Sequence, residues 1–555
     1  MLQKGGNMDL NILKNIELCS ENKENLEENS CNKDIAIVGI DAKIAGANNV
    51  NEFWQYLVNG CDMIRDFPEE RIEDANNICL LRTNRELSDN ILPYGYLDQI
   101  DLFDPDIFGI SNKEAELMDP AQRIFLQSAW KALEDAGYGG NQIKGTNTGV
   151  YVGINNIQNQ YCATMDDKMD PATYGLAVSG NVNSIVASRI SYHFDLKGPA
   201  VVFDTACSSS LVAVYFACQQ LRTKEVSMAI VGGIRLCIIP PQGLEQRFGI
   251  EALSGRTRSF DANSDGTGGG EGVVTMVLKP LEEARKDNDH IYAVIKGASI
   301  NQNGTLVGIT APNALAQEDV IKKAWKDAEI NPETISYIEA HGTATELGDP
   351  IEISGIEKAF RNFTHRNQFC AIGSVKSNVG HLDSTAGMAG LLKVVLMLQH
   401  KKIPASLHFK SPNKKINFIQ SPVYVNDRCV DWRPENSLRR AGISSFGISG
   451  TNCHLVLEEA IDNKNEQIEQ HNDKPFILTV SAKNQKILHR YINEYKEYLA
   501  SHPTCNLRDF CYTANTGRQH YNVRYIIIFN KREEFLESSL DEKNNYLQEF
   551  KVVEK

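Results

Sequence analysis

Short aliphatic runs, each closed by glycine or a polar turn, alternate with helix-patterned segments from residue 34 to about 459. DIAIVGI (Asp34–Ile40), GVYVGI (Gly149–Ile154) and SMAIVGGI (Ser227–Ile234) show little alternation of polar and apolar positions, as strands covered on both faces do. TMVLKPL, IYAVIKGASI, ISYIEAHG and HLVLEE continue the strand pattern. Between them, MDPAQRIFLQSAWKALEDAGY (Met118–Tyr138) brings Ile124, Phe125, Ala129, Ala132 and Leu133 close to one face, with Pro120 near the start and Gly137 at the stop. AQEDVIKKAWKDAEI reads as a second helix, and TAGMAGLLKVVLMLQ is so apolar that it predicts a helix buried on all sides. The expected fold class is α/β, with sheets covered on both faces and helices sandwiched inside.

The flanks read differently. Residues 1–33 are polar and acidic with one weakly amphipathic patch from Leu10 to Leu18, and are expected to be a disordered leader or a docking segment for another protein. They lack the basic start and apolar core of a signal peptide. Residues 460–474 read as a polar linker, and residues 475–555 as a small α/β appendage: PFILTVSAK as a strand, QKILHRYINEYKEYLASH as an amphipathic helix, VRYIIIFN as another strand.

Net charge is −14, from 57 basic and 71 acidic residues, which argues against nucleic acid as the main partner. No stretch is long and apolar enough for a membrane span. The thirteen cysteines are scattered, none at C-x-x-C spacing, so no structural zinc site and a reducing cytoplasm are expected.

DANSDGTGGGEG (Asp261–Gly272) looks like a calcium loop, but Glu271 falls one place short of the bidentate position and a strand follows; a tight structural loop is expected and no metal. In DTACSSSLVAVYFAC, Cys207 stands between small polar residues and an apolar helix. It reads either as a buried inert thiol or as a nucleophile at a helix start, where partial positive charge favours thiolate. Ser208, Ser209 and Ser210 are expected to cap that helix, and Cys218 to be inert. His341 follows a strand in EAHGTATELGDP, and His381 precedes the buried helix in GSVKSNVGHLDSTAGMAG, with Lys376 five residues upstream. Open α/β sheets gather ligands at such strand ends. SSFGISGTNCH (Ser444–His454) has the small residues that let backbone N–H groups approach a reacting oxygen, or simply make a turn.

Together, DTACSSS, EAHGTATELGDPIE, GSVKSNVGHLDSTAGMAG and SSFGISGTNCH resemble, in order, the signatures of the β-ketoacyl synthases of modular type I polyketide synthases, in the thiolase-like superfamily. The resemblance covers about residues 34–459. It implies a layered αβαβα fold of two similar halves. PFILTVSAK and LRDFCYTANTGRQHYNVR resemble the linker domain that follows such ketosynthases before an acyltransferase.

The resemblance implies decarboxylative Claisen condensation. Cys207 would hold the growing acyl chain as a thioester, and His341 and His381 would promote decarboxylation of a malonyl-type extender and stabilise its enolate. Lys376 would support the histidine loop. Backbone N–H groups of Cys207 and Ile448 would form the oxyanion hole, Ile448 at a gating position, and Thr343 and Thr345 would line the pantetheine entrance. The implied partners are acyl carrier protein, which supplies the phosphopantetheine arm, an acyltransferase in cis or in trans, and a second copy in a homodimer; no bound cofactor is implied. Ala344 stands where the family usually has glycine, and Cys453 where alanine is common. A thiolase would carry a second active-site cysteine, and a stand-alone initiating synthase a Cys-His-Asn set. The reading from another class is a scaffold that binds acyl carriers without condensing.

Overall fold

The computed structural model describes residues 33–155, 170–242, 249–435, 438–461, 474–538 and 546–549. Residues 1–32 of the expected docking segment and 462–473 of the expected linker lie outside these. No helix among the described residues is long and apolar enough to cross a membrane.

The strands in chain order are β1 (Ile35–Ile44), β2 (Thr148–Gly153), β3 (Ala200–Phe203), β4 (Met228–Arg235), β5 (Gly272–Pro280), β6 (Ala293–Gln302), β7 (Tyr337–Glu339), β8 (Cys370–Gly373), β9 (Lys402–Ile403), β10 (Val423–Val425), β11 (Val430–Asp431), β12 (Arg440–Phe446), β13 (Thr451–Glu458), β14 (Phe476–Ala482), β15 (Val523–Phe529) and β16 (Tyr546–Glu549). Eleven of them form one sheet in the order β10-β8-β7-β12-β13-β6-β1-β5-β4-β2-β3.

Two similar halves are visible in that order. Outward from the β1/β6 junction, the first half runs β1-β5-β4-β2-β3, with two antiparallel and then two parallel pairings. The second half runs β6-β13-β12-β7-β8 with the same sequence of pairings, and adds β10. Within the sheet, the halves join through the antiparallel pairing of Ile35, Ala36 and Ile37 with Ile295, Val294 and Ala293. DIAIVGI proves to be the start of a longer strand: β1 shifts register between Ile37 and Gly39, then stays paired to β5 as far as Ile44.

Burial follows the layers. Helices Ser209–Arg222 and Ala386–His400 belong to one central core with side chains from both halves. Helices Pro120–Asp135 and Asn183–Phe194 pack with side chains of the first half in a second core, and helices Ala314–Asp327 and Gly348–Arg361 with the second half in a third. This is the expected order of helix, sheet, helix, sheet, helix. The helix Ala386–His400 is buried from Ala386 to Leu398, as its uniform apolarity requires.

Residues 476–549 add a three-stranded antiparallel sheet, β14-β15-β16, with helices Gln485–Ser501 and Leu507–Thr516 and a core of their own. The Arg518 guanidinium donates to the Glu134 carbonyl oxygen at 2.6 Å, fastening this unit to the main body. Burial beside it pushes the Glu134 carboxyl up to about 7.

Candidate active site

The internal symmetry places the chemistry. In the first half, the chain leaves β3, turns through Cys207 and enters the inner helix Ser209–Arg222. In the second, it leaves the matching strand β8, passes Lys376 and His381, and enters the inner helix Ala386–His400. Two equivalent strand-to-helix junctions thus supply Cys207 and His381, at strand ends where such sheets gather ligands.

The Cys207 turn is held by serine hydroxyls, two of its own and one from β12. Ala206 has φ of +55°, a conformation an L-residue adopts only when its surroundings impose it. Thr205 N–H donates to Ser209 Oγ at 2.9 Å, Ser208 Oγ donates to the Thr205 carbonyl at 2.9 Å, and Ser445 Oγ from β12 donates to the Cys207 carbonyl at 2.8 Å. The serines therefore do not cap the helix N–H groups as expected: Ser208, at the N-cap, makes no side-chain cap bond, because its hydroxyl braces the turn instead. Ser210 Oγ instead accepts from Met388 N–H at 3.2 Å, joining the two inner helices. Gly153 admits this close approach, since a Cβ there would stand 2.3 Å from the Ser210 nitrogen.

Of the two states the helix start left open, the surroundings favour the thiol. Burial, with the Asp383 carboxylate second, pushes the Cys207 thiol up to about 12, against the lowering influence of the Ile448 N–H group and Lys376. Desolvation outweighs the helix terminus here. Cys218 is fully buried in the central core, as is Cys453.

The two imidazoles face each other at right angles, with ring centroids 5.6 Å apart. His381 Nδ1 accepts the Asp383 N–H at 2.8 Å, so in the neutral ring the proton sits on Nε2. Burial, Lys376 and Arg235 hold its pKa well below the usual range. His341 is held neutral in the same way, by burial, Lys376 and His381. Its Nδ1 is buried without a hydrogen-bond partner among the described residues, and its ring lies 5.8 Å from that of Phe446.

Two carboxylates that the sequence reading passed over set the His341 loop. Glu352 accepts His341 N–H at 2.7 Å and Gly342 N–H at 2.8 Å. Asp349 accepts Ala344 N–H at 2.9 Å and Phe260 N–H at 2.6 Å. Both stand on the helix Gly348–Arg361, three residues apart and so on one face; that spacing in ELGDPIE was their only sequence signal. Burial pushes Glu352 up to about 6 and Asp349 to about 7. Lys376 is buried beside them, its pKa lowered by burial against the pull of Glu339 and Glu352. Glu339 in turn pairs with the fully buried Lys393 of the inner helix at 2.8 Å.

Ala344 has φ of +56° and no exposed surface, which explains why glycine suits the position. Ala344→Gly is expected to stabilise the fold by about 0.5–1 kcal/mol, relief of the left-handed strain outweighing the added freedom of the unfolded chain. A thermal melt would show a rise of about 1–2 °C; a fall would contradict it.

Thr343 and Thr345 have hydroxyl oxygens 3.3 Å apart. Thr345 lines an open cavity of about 500 Å³ with Ile250, Gly266, Glu346 and Lys415; Thr343 is not among its lining residues. Ile448 is 43% exposed. In the loop that resembles a calcium site, Asp261 accepts N–H groups of Lys410, Ser411 and Asn263, and Glu271 pairs with the buried Arg71, so both carboxylates are used in holding the structure.

Residues 32–284 match the family described as beta-ketoacyl synthase, N-terminal domain, residues 292–410 its C-terminal domain, and residues 476–538 the CurL-like PKS C-terminal family. A ketosynthase from module 6 of the bacillaene synthase of Bacillus subtilis 168 is 40% identical, with a TM-score of 0.78 over 91% of this chain and 84% of that one. The chain belongs to the β-ketoacyl synthase family. It is a polyketide-synthase ketosynthase of thiolase-like fold, an enzyme of the acyltransferase class. Ketosynthase twelve of the Bacillus amyloliquefaciens bacillaene polyketide synthase is also similar, with a TM-score of 0.82 and 36% identity over 93% of this chain and 91% of that one. Polyketide synthase PksL of Bacillus subtilis is 42% identical over 503 residues, 90% of this chain but 11% of PksL. This ketosynthase thus spans about a tenth of the length of such curated relatives.

Proposed function

We propose that this ketosynthase elongates an acyl chain from Cys207, with His341 and His381 serving the extender. The observation that carries the reading is the placing of a half-buried thiol and the neutral His381 imidazole at symmetry-related strand ends, with the neutral His341 ring edge to face against His381. The Cys207 sulfur attacks a carrier-bound thioester, the new C–S bond forming as the donor's breaks and the Cys207 proton leaves with the departing thiol. The extender then loses carbon dioxide, and its carbanion attacks the Cys207-bound carbonyl, releasing the sulfur. Neutral imidazoles suit this step, because they donate hydrogen bonds to a developing enolate oxygen without first giving up a proton. The Ile448 N–H near the sulfur supports its role, with Cys207 N–H, in holding the thioester oxygen. Lys376 and Glu352 position the histidine loop.

The phosphopantetheine arm comes with the acyl carrier protein, and Thr343 and Thr345 lie on its way in. The acyltransferase that loads the extender acts in cis or in trans. Residues 34–459 form the condensing domain and 475–555 the linker domain, in a reducing cytoplasm. A homodimer is the expected assembly: β3 is an edge strand with Val201 37% exposed, and such edges pair readily. Light scattering would then give twice the chain mass, and a monomer would contradict it.

The test is a preloaded acyl enzyme given malonyl-carrier protein. A β-ketoacyl product on the carrier is expected, and acylation with no condensation would favour the carrier-binding scaffold. In the same assay, the rate from preloaded enzyme is expected to stay level as pH falls through 6.5, because both imidazoles are already neutral there. A decline with midpoint near 6.5 would contradict their assignment.

A further inference from the structure

Beside Cys207 lies a charged pair that the condensation chemistry does not use. Asp383 Oδ1 is 4.0 Å from the Cys207 sulfur, and Asp383 Oδ2 is 3.9 Å from Arg235 Nε. Both side chains are largely buried, 16% of Arg235 and 31% of Asp383 being exposed. The pair is held open rather than closed. Asp383 is fixed at φ of +48°, its own N–H donating to His381 Nδ1. Arg235, at the end of β4, gives Nη1–H to the Leu236 carbonyl at 3.3 Å and also interacts with Tyr94. Its Nε–H is buried with no hydrogen-bond partner among the described residues.

A buried donor without an acceptor is costly; Arg235 Nε–H is such a donor, and the partly exposed Asp383 carboxylate stands just beyond its hydrogen-bonding reach. An oxygen at about 2.9 Å from each would have the two groups about 85° apart, so a hydroxyl there can accept from one and donate to the other through bent hydrogen bonds. The first carbons of an acyl group on Cys207 lie near this pair, since the Asp383 carboxylate stands 4.0 Å from the sulfur itself.

We infer that Arg235 and Asp383 form a specificity subsite that reads a hydroxyl on the β-carbon of the Cys207-bound acyl chain. The inference rests on Cys207 as the acyl carrier and adds the substrate class: β-hydroxyacyl thioesters. The hydroxyl accepts from Arg235 Nε–H and donates to the Asp383 carboxylate. A saturated chain leaves the buried Arg235 Nε–H unsatisfied. A β-keto group can accept from Arg235 but sets its oxygen against the carboxylate.

The experiment compares Cys207 acylation rates, by intact-protein mass, with N-acetylcysteamine thioesters of butanoate, 3-oxobutanoate and both enantiomers of 3-hydroxybutanoate. Wild type is expected to take one 3-hydroxybutanoyl enantiomer about tenfold or more faster than butanoyl, with 3-oxobutanoyl between. In Asp383→Leu and in Arg235→Met, each checked for a cooperative melt, that ratio is expected to fall to near one. Equal rates in wild type, or an undiminished ratio in either folded variant, would overturn the subsite. No adduct with any of the thioesters would overturn the Cys207 assignment, and the subsite with it.

Discussion

With His381 replaced by alanine, the enzyme is expected to accept an acyl chain at Cys207 and then fail to extend it. The two steps use different groups. Acyl transfer needs the sulfur and the N–H groups around it; the decarboxylative step creates a new anion, and the imidazoles are the donors near it. Removing a preorganised donor from a desolvated site costs about 10²–10³-fold in rate. His341→Ala is expected to match it, because the two rings lie edge to face at 5.6 Å and can share one oxygen. Mass spectrometry of the acyl enzyme, followed by product release from malonyl-carrier protein, reads both steps on one sample. Normal product formation by either variant would remove that histidine from the chemistry, and loss of acylation would show that the two steps are not separable.

Glu352→Ala is expected to have the largest effect on stability, about 3–5 kcal/mol. The N–H groups of His341 and Gly342 lose their carboxylate acceptor, and Lys376 loses a carboxylate that offsets its burial. Chemical denaturation would show it as an earlier midpoint with an unchanged slope. Glu352→Gln, which keeps an acceptor for one of the amides, is expected to recover part of the loss. A midpoint within about 0.5 kcal/mol of wild type for the alanine variant would mean that the carboxylate does not hold the loop.

The layers were legible because burial leaves its mark on every residue of an element. The helix Ala386–His400 has no polar face, and the strands β2 and β4 have no polar alternation; each must be covered all round. Cys207, His341 and His381 could be picked out by their position in short polar loops between such elements. Their partners could not. Glu352 reaches back eleven residues to His341, and Arg235 meets Asp383 from the other half of the fold; only the folded chain sets those distances. The serine turn was misread for a related reason. Near a helix start a serine hydroxyl can serve the helix or the preceding turn, and here β12, reaching across from the second half, braces the turn. The thiol's state was equally hidden, since a helix terminus is local but desolvation is a property of everything packed around the sulfur.

The central claim is that Cys207 carries the chain. Its most direct measurement is the intact mass of wild type and Cys207→Ala after incubation with an acyl-carrier thioester, with the adduct placed by peptide mapping. One acyl group per wild-type chain, located at Cys207 and absent from Cys207→Ala, is the predicted result. An unmodified wild type, or an adduct equally present in Cys207→Ala, would contradict it.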